Sequence, residues 1–304
     1  MKLPKVAISI GDLNGVGIEI ALKSHEEISK YCIPTYCINK TLLNQASKLL
    51  NREIPNDFSV HEVNGAFDIE VGKVSKDSGQ YSYDSFLSAI ELAQTKNVDA
   101  IVTMPIHKEA WQLAGLEFVG HTDVLRKHFV KDAIMMLGCE KMYVALFTEH
   151  IPLIEVTGSI EEKKLTQFLL DLYDSLKDDN IAVLGVNPHA GDNGVLGDEE
   201  TIIIQAIKNA NTTLKKDVFK GPLVPDIAFT PHVRKNFKHF VAMYHDQGLG
   251  PLKALYFDES INVSLNLPII RTSVDHGTAF DIAYEGKANN LSYLNAVQAA
   301  LNLL

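Results

Sequence analysis

Cysteine is scarce in this chain. Its three residues, Cys32, Cys37 and Cys139, form no Cys-x-x-Cys pair and are odd in number. That excludes a disulfide framework and a zinc site built on paired thiolates, and points to a reducing, cytoplasmic compartment. No run approaches the roughly 20 apolar residues of a membrane span. The opening residues Met1 to Ile10 lead straight into Gly11-Asp12, which reads as a first strand and not a secretory leader. Basic residues are outnumbered, 28 Lys and Arg against 38 Asp and Glu for a net charge of −10. They form no dense cluster either, so nucleic acid is not an expected partner. Linkers rich in proline or serine, low-complexity tracts and repeats of solenoid period are also missing. What remains is a globular chain of 304 residues, long enough to bury about 75% of its unfolded surface and to enclose a site.

Short β-rich runs alternate with helical patterns. The runs are Val6 to Ile10, Tyr36 to Ile38, Ala100 to Thr103, Tyr143 to Phe147, Ile181 to Val186, Val241 to Tyr244 and Val263 to Leu267. Between them, apolar residues recur at helical spacing in Tyr83 to Thr95, Ile160 to Leu176 and Tyr293 to Leu304. The alternation predicts an α/β fold.

In open α/β sheets ligands collect at the carboxyl ends of strands, and here those positions are rich in histidine. His150, His189 and His245 each follow an apolar run, as does His107 in Pro105-Ile-His-Lys108. One histidine taken alone is better explained as a cap on a loop carbonyl. Three after similar strands favour a divalent ion with open positions for substrate oxygens. Glu149, Asp192 and Asp246 are placed to add ligands or to orient the imidazoles.

Anion-binding candidates come next. Gly11-Asp-Leu-Asn-Gly15-Val-Gly17 follows a strand and opens a helix, yet its spacing is not Gly-x-Gly-x-x-Gly, and a tight turn explains it as well as an anion loop does. Gly120-His121-Thr122-Asp123 begins a helical pattern with Thr122 as the expected N-cap. Lys253 and Arg271, with Asn262 between them, would complete a clamp on phosphate or carboxylate, although either cation alone is more often a solvated surface charge.

The stretch Ser273-Val-Asp-His276-Gly-Thr-Ala-Phe-Asp281, followed by Ala288-Asn289, resembles the cofactor loop of the isopropylmalate and isocitrate dehydrogenases. That loop holds the adenosine half of the dinucleotide without a Gly-x-Gly-x-x-Gly. The resemblance implies a cofactor contact through His276, Gly277, Thr278, Asp281 and Asn289. An acidic residue at 281 accompanies NAD, because a carboxylate accepts from a free ribose 2′-OH and repels a 2′-phosphate; NADP is the less favoured cofactor. Phe280 stands where those relatives carry proline.

Taken in order, Gly11 to Gly17, Pro105 to Lys108, Gly120 to Thr122, His150-Ile-Pro-Leu153, Asn187-Pro-His-Ala-Gly191, Tyr244-His-Asp-Gln-Gly248, Asn262 to Pro268 and Arg271 to Thr278 resemble the 4-hydroxythreonine-4-phosphate dehydrogenases, the PdxA family of pyridoxine biosynthesis. The resemblance implies two α/β/α lobes in the isocitrate/isopropylmalate dehydrogenase style with an active-site cleft between them. The expected lobes are 1–118 with 270–304, carrying the cofactor loop, and 119–269, carrying most metal and substrate residues. It implies one divalent metal (zinc, magnesium, cobalt or manganese) on His150, His189 and His245, and a small phosphorylated hydroxy amino acid held by His121, Thr122, Lys253, Asn262 and Arg271. Lys253 and His107 are the candidate bases. A homodimer is implied, with its site near the interface and a ligand such as His245 open to donation by the partner. Leu13-Asn14 departs from the family's Pro-Ala, and the shorter chain places a deletion in the weakly patterned region 51–76.

Overall fold

Residues 2–304 are described by a computed structural model. The predicted alternation is realised in the elements β1 (Lys5–Ser9), α1 (Gly17–Ile28), β2 (Ile33–Cys37), α2 (Lys40–Leu50), β3 (Ser59–His61), α3 (Lys76–Gln94), β4 (Ala100–Thr103), α4 (Lys108–Leu113) and α5 (His121–Phe129). These are followed by β5 (Ile134–Cys139), β6 (Met142–Leu146), α6 (Leu153–Ser159), α7 (Glu162–Leu176), β7 (Ile181–Leu184), a 3-10 segment (Pro188–Gly194), α8 (Glu200–Leu214) and β8 (Phe219–Leu223). The chain ends with α9 (Pro225–Ala228), α10 (Pro231–Arg234), β9 (His239–Ala242), α11 (His245–Tyr256), β10 (Ile261–Leu265), β11 (Ile270–Val274) and α12 (Leu291–Asn302).

Two compact units divide the chain. Unit 1 takes residues up to Lys131 with Ile261–Val263 and Leu267–Leu304; unit 2 takes Asp132–Ser260 and Ser264–Asn266. The sequence places the first crossing at 118/119, whereas the contacts place it after α5. The reason is packing: the ring of His121 on α5 stands edge-on to Phe86 and Trp111, centroids 4.6 and 5.7 Å away.

In unit 1 the strands run β3-β2-β1-β4-β11-β10. The β3/β2, β2/β1, β1/β4 and β4/β11 pairs are all parallel. α3 packs on β1, β2 and β4, and α12 on β4 and β11, so the strands are buried on both faces and read as continuous apolar runs. Ile8, Ile10, Tyr36, Phe86, Trp111 and Tyr293 fill this core. In unit 2 the order is β5-β6-β9-β7-β8. β6, β9, β7 and β8 are parallel, and β5 pairs antiparallel with β6. Its core gathers Leu137, Val144, Leu184, Phe240 and Leu252.

Four strands lie outside the expected runs: β3, β5, β8 and β11. The last is the instructive one, because Ile-Arg-Thr-Ser-Val looks amphipathic yet Arg271, Thr272 and Ser273 are all buried. Asn39 caps α2 as its residue type suggests, Oδ1 accepting from Leu42 N at 2.9 Å. Thr122 does not cap α5. Gly120 takes that place with no side-chain cap, and Thr122 lies inside the first turn, 8% exposed.

Candidate functional site

In unit 1 the site is built on β4, β11 and the loop that follows. Arg271 is 2% exposed, and its Nη2 donates to Thr103 Oγ1 at 2.7 Å. Their strands pair Arg271 with Ile101 and Ser273 with Thr103, so the hydroxyl sits at the carboxyl end of the neighbouring strand. Burial pulls the guanidinium pKa down to about 9, a group still charged at neutral pH. Burial, reinforced by the charge of Arg271, holds His121 well below the ordinary imidazole value. His121 is therefore neutral at pH 7, with a buried Nε2 that makes no hydrogen bond. Asn262 on β10 likewise presents a buried Oδ1 without a partner. A buried guanidinium and two polar side chains with unspent hydrogen-bonding capacity suit a phosphate or carboxylate with accompanying hydroxyl or amine groups.

The cofactor-loop candidates occupy segment 275–290, which has no helix or strand. His276 Nδ1 lies 2.9 Å from Gly277 O; an acceptor there fixes the proton on Nδ1 and leaves Nε2 as a lone-pair acceptor. That Nε2 is buried and unbonded, and Gly277 has open space where a side chain would stand. Asp281 and Asn289 are exposed, and Asn289 Oδ1 accepts from Leu291 N at 2.9 Å. His107, N-capping residue of α4, stacks on Phe280 with centroids 4.8 Å apart and planes 12° apart; its Nδ1 is buried without a bond. An open glycine, an orphaned ring nitrogen and an outward carboxylate fit the adenosine half of a dinucleotide.

The Gly11–Gly17 loop is a cradle for this segment. Asp12 N donates to Pro105 O at 2.9 Å, Asn14 N to Asp12 Oδ1 at 2.9 Å, Gly15 N to Asp12 O at 3.1 Å and Val16 N to Thr278 O at 3.0 Å. Amides so committed cannot also bind an anion, so the tight-turn explanation prevails. Burial raises the Asp12 carboxyl above the usual range, opposed by bonds from Asn14 and Ser78 and by the charge on His107. A Cβ at Gly15 would lie 2.6 Å from Thr278 O, which only glycine permits. Asn14 ties down the segment that follows β3: Nδ2 donates to Lys73 O at 2.8 Å and Oδ1 accepts from Glu70 N at 3.0 Å.

In unit 2 the three metal candidates follow the carboxyl ends of adjacent parallel strands, β6, β9 and β7. His150 and His245 meet, their ring centroids 5.3 Å apart. His245 opens α11, and its Nδ1 lies 2.7 Å from Asp246 Oδ1. A carboxylate partner puts the proton on Nδ1 and directs Nε2 to a ligand. His189 stands in a left-handed run, His189 to Asn193 with φ between 45 and 77°, where non-glycine residues are strained by about 1–2 kcal/mol each. Among the described residues no group of three or more His, Cys, Asp or Glu is placed to hold an ion. His150 and His245 bring together two imidazoles, donors of the kind a divalent ion takes, while His189 is not grouped with them. Lys253 lies two turns beyond His245 on α11, its ammonium 5.3 Å from the Phe257 ring centre.

Sequence reasoning missed Thr103 and Phe280 as partners of Arg271 and His107. Register across β4 and β11 could have found the first; nothing local announces the second. The family model described as pyridoxal phosphate biosynthetic protein PdxA matches residues 30–300. A 4-hydroxythreonine-4-phosphate dehydrogenase from Sulfurimonas denitrificans is 68% identical over 303 residues, covering 100% of this chain and 99% of that one. One from Campylobacter fetus is 59% identical at the same coverage. A crystal structure of a 4-hydroxythreonine-4-phosphate dehydrogenase from Burkholderia phymatum superposes with a TM-score of 0.84 at 33% identity, covering 100% of this chain and 99% of the other. The family model spans most of the chain and relatives of high identity cover all of it, so the chain belongs to the PdxA family of pyridoxal phosphate biosynthetic proteins.

Proposed function

We propose that the protein oxidises 4-hydroxy-L-threonine 4-phosphate with NAD in pyridoxine biosynthesis, giving 2-amino-3-oxo-4-(phosphooxy)butanoate, which loses CO2 to form 3-amino-2-oxopropyl phosphate. The observation that carries this reading is the continuity of β11 with the loop it feeds. The buried Arg271 lies on the strand whose end leads into His276, Gly277, Thr278 and Asp281, so the proposed substrate anchor and dinucleotide contact lie on one continuous stretch of chain.

When bound, NAD takes the hydride from C3, and a divalent ion on His150, His189 and His245 supplies Lewis acidity. The chain's own residues bind and orient. Arg271 holds an anionic group of the substrate by charge-assisted bonds. Neutral His121, buried Thr122 and Asn262 supply uncharged hydrogen-bonding groups, and Lys253 a second cation. The C3 hydroxyl proton needs a base, and His107 and Lys253 are the groups proposed for it. Loss of CO2 from the β-keto acid leaves its electron pair on the C3 oxygen as an enolate, which is then protonated. Asp281 selects NAD over NADP by repelling a 2′-phosphate. Asp246 keeps Nε2 of His245 directed to the ion.

The working form is proposed to be a cytoplasmic homodimer. Leu153 and Ile154 beside His150, 70 and 89% exposed, and Val195 past His189, 77% exposed, are apolar surface that a second copy would cover. Among the described residues no helix is long and apolar enough to cross a membrane.

The test is NADH formation from 4-hydroxy-L-threonine 4-phosphate with chelator, then with zinc, magnesium, cobalt and manganese restored singly. Turnover undiminished by chelation removes the metal part. Absence of NADH with every metal removes the dehydrogenase reading. Faster turnover of another phosphorylated hydroxy acid transfers the same apparatus to that substrate.

A further inference from the structure

Helix α1 carries a carboxylate in the wrong company. Glu19 stands among Gly17, Ile18, Ile20, Ala21 and Leu22, all buried, and is itself 3% exposed. Burying a carboxylate is costly unless its oxygens are bonded. Only one of them is: Oε1 accepts from the backbone N of Ala288 at 2.9 Å, while Oε2 is buried without a partner. A glutamine would make the same bond without burying a charge, so general packing does not explain the choice.

What the bond holds is informative. Ala288 is 1% exposed, and its carbonyl accepts from Lys23 Nζ at 3.0 Å. Residues four apart lie on one face of a helix, so Glu19 and Lys23 grip the two ends of one residue in a segment that has no ladder of its own. Asn290 Nδ2 donates to Ser24 Oγ at 2.9 Å and Tyr284 Oη to Leu13 O at 2.7 Å. Asn289, exposed, lies between the two clamped residues. A charge-assisted bond is the stronger way to fix a backbone N–H, and long irregular segments in compact domains are ordinarily functional and need such fixing.

We propose that Glu19 and Lys23 are positioning residues for the dinucleotide: by clamping Ala288 they hold Asn289 in its binding conformation and so set cofactor affinity without touching the cofactor. This rests on the reading of residues 276–289 as the dinucleotide loop.

The experiment measures NADH affinity by ligand fluorescence on the full chain, together with calorimetric affinity for 4-hydroxy-L-threonine 4-phosphate, melting temperature, and hydrogen exchange across 284–290. Loss of a bond to a charged group predicts that Glu19→Ala weakens NADH binding by about ten-fold and speeds exchange in 284–290, while Glu19→Gln stays within about three-fold of the parent. Substrate affinity is expected to hold in both. Unchanged NADH affinity in Glu19→Ala overturns the proposal, as does equal weakening of NADH and substrate with the fold intact. If Glu19→Ala does not fold, Lys23→Met decides, since Lys23 is exposed: weaker NADH binding with unchanged substrate affinity supports the clamp, and no change removes it. A parent protein that binds no NADH shows that the loop reading itself has failed, and the clamp falls with it.

Discussion

The two units hold their anion-binding and metal candidates in opposite ways. In unit 1, Arg271, His121 and Thr122 are packed into the core, with their orientations set by Thr103, Phe86 and Trp111. In unit 2, His150 and His189 are exposed, and His189 sits in strained backbone. An organic ligand must find its partners already in place, because ordering them on binding subtracts from affinity. A metal ion forms bonds strong enough to organise loose ligands itself. Preorganisation therefore belongs where hydrogen bonds do the recognising, and exposed, strained placement is tolerated where coordination does.

The largest effect that would break this contrast lies in unit 1. Arg271→Ala should lower kcat/KM about 1,000-fold, about 4 kcal/mol at 1.36 kcal/mol per decade, while cobalt binding, followed by its absorption spectrum, stays within about two-fold of the parent. Loss of cobalt binding in that variant would mean that the two sets of residues are not independent.

Next comes His189→Gly. Losing a ligand should weaken cobalt binding by more than about 100-fold, beyond the 10–100-fold of an orienting group. The same change should raise unfolding free energy by about 0.5–1 kcal/mol, because glycine adopts φ near 54° without the strain of a side chain. A variant that binds cobalt normally excludes His189 as a ligand; one that is destabilised excludes the strain. Asp246→Asn sharpens the same point, with cobalt affinity down about 10–100-fold and melting temperature unmoved, since Asp246 is exposed.

What the sequence made legible follows from this contrast. His150, His189 and His245 stand out because each is a polar interruption after an apolar run, and the 276–289 loop because its residue order is short and local. Arg271 was visible as a cation but not as a buried one. Its burial depends on β4 and β11 lying side by side, a pairing of residues far apart in sequence that no local pattern encodes. The left-handed run at His189 was equally silent, since Pro-His-Ala-Gly-Asp-Asn reads as an ordinary turn. Glu19 did give a signal, a carboxylate amid buried apolar neighbours, but its partner Ala288 lies at the other end of the chain.

The smallest effect tests both units at once through one partly buried histidine in each, His121 and His239. Burial lowers the folded pKa of His121 well below 6.5, with the charge of Arg271 adding to it. Burial also lowers that of His239, although a bond to Asp178 and that carboxylate's charge oppose it. In the window below 6.5 the unfolded chain binds protons that the folded chain refuses, so stability is full above that pH and falls as pH drops toward each folded pKa. The slope for His121 approaches 1.36 kcal/mol per pH unit, or about 1 kcal/mol between pH 6.5 and 5.5. Urea unfolding across that interval should show this loss in the parent and a smaller one in His121→Phe. His239→Phe should remove less of the slope, because Asp178 already favours its proton. Equal slopes in the parent and His121→Phe would mean that His121 is not held neutral, and with it would go the view of unit 1 as a pocket whose hydrogen-bonding groups are set before the substrate arrives.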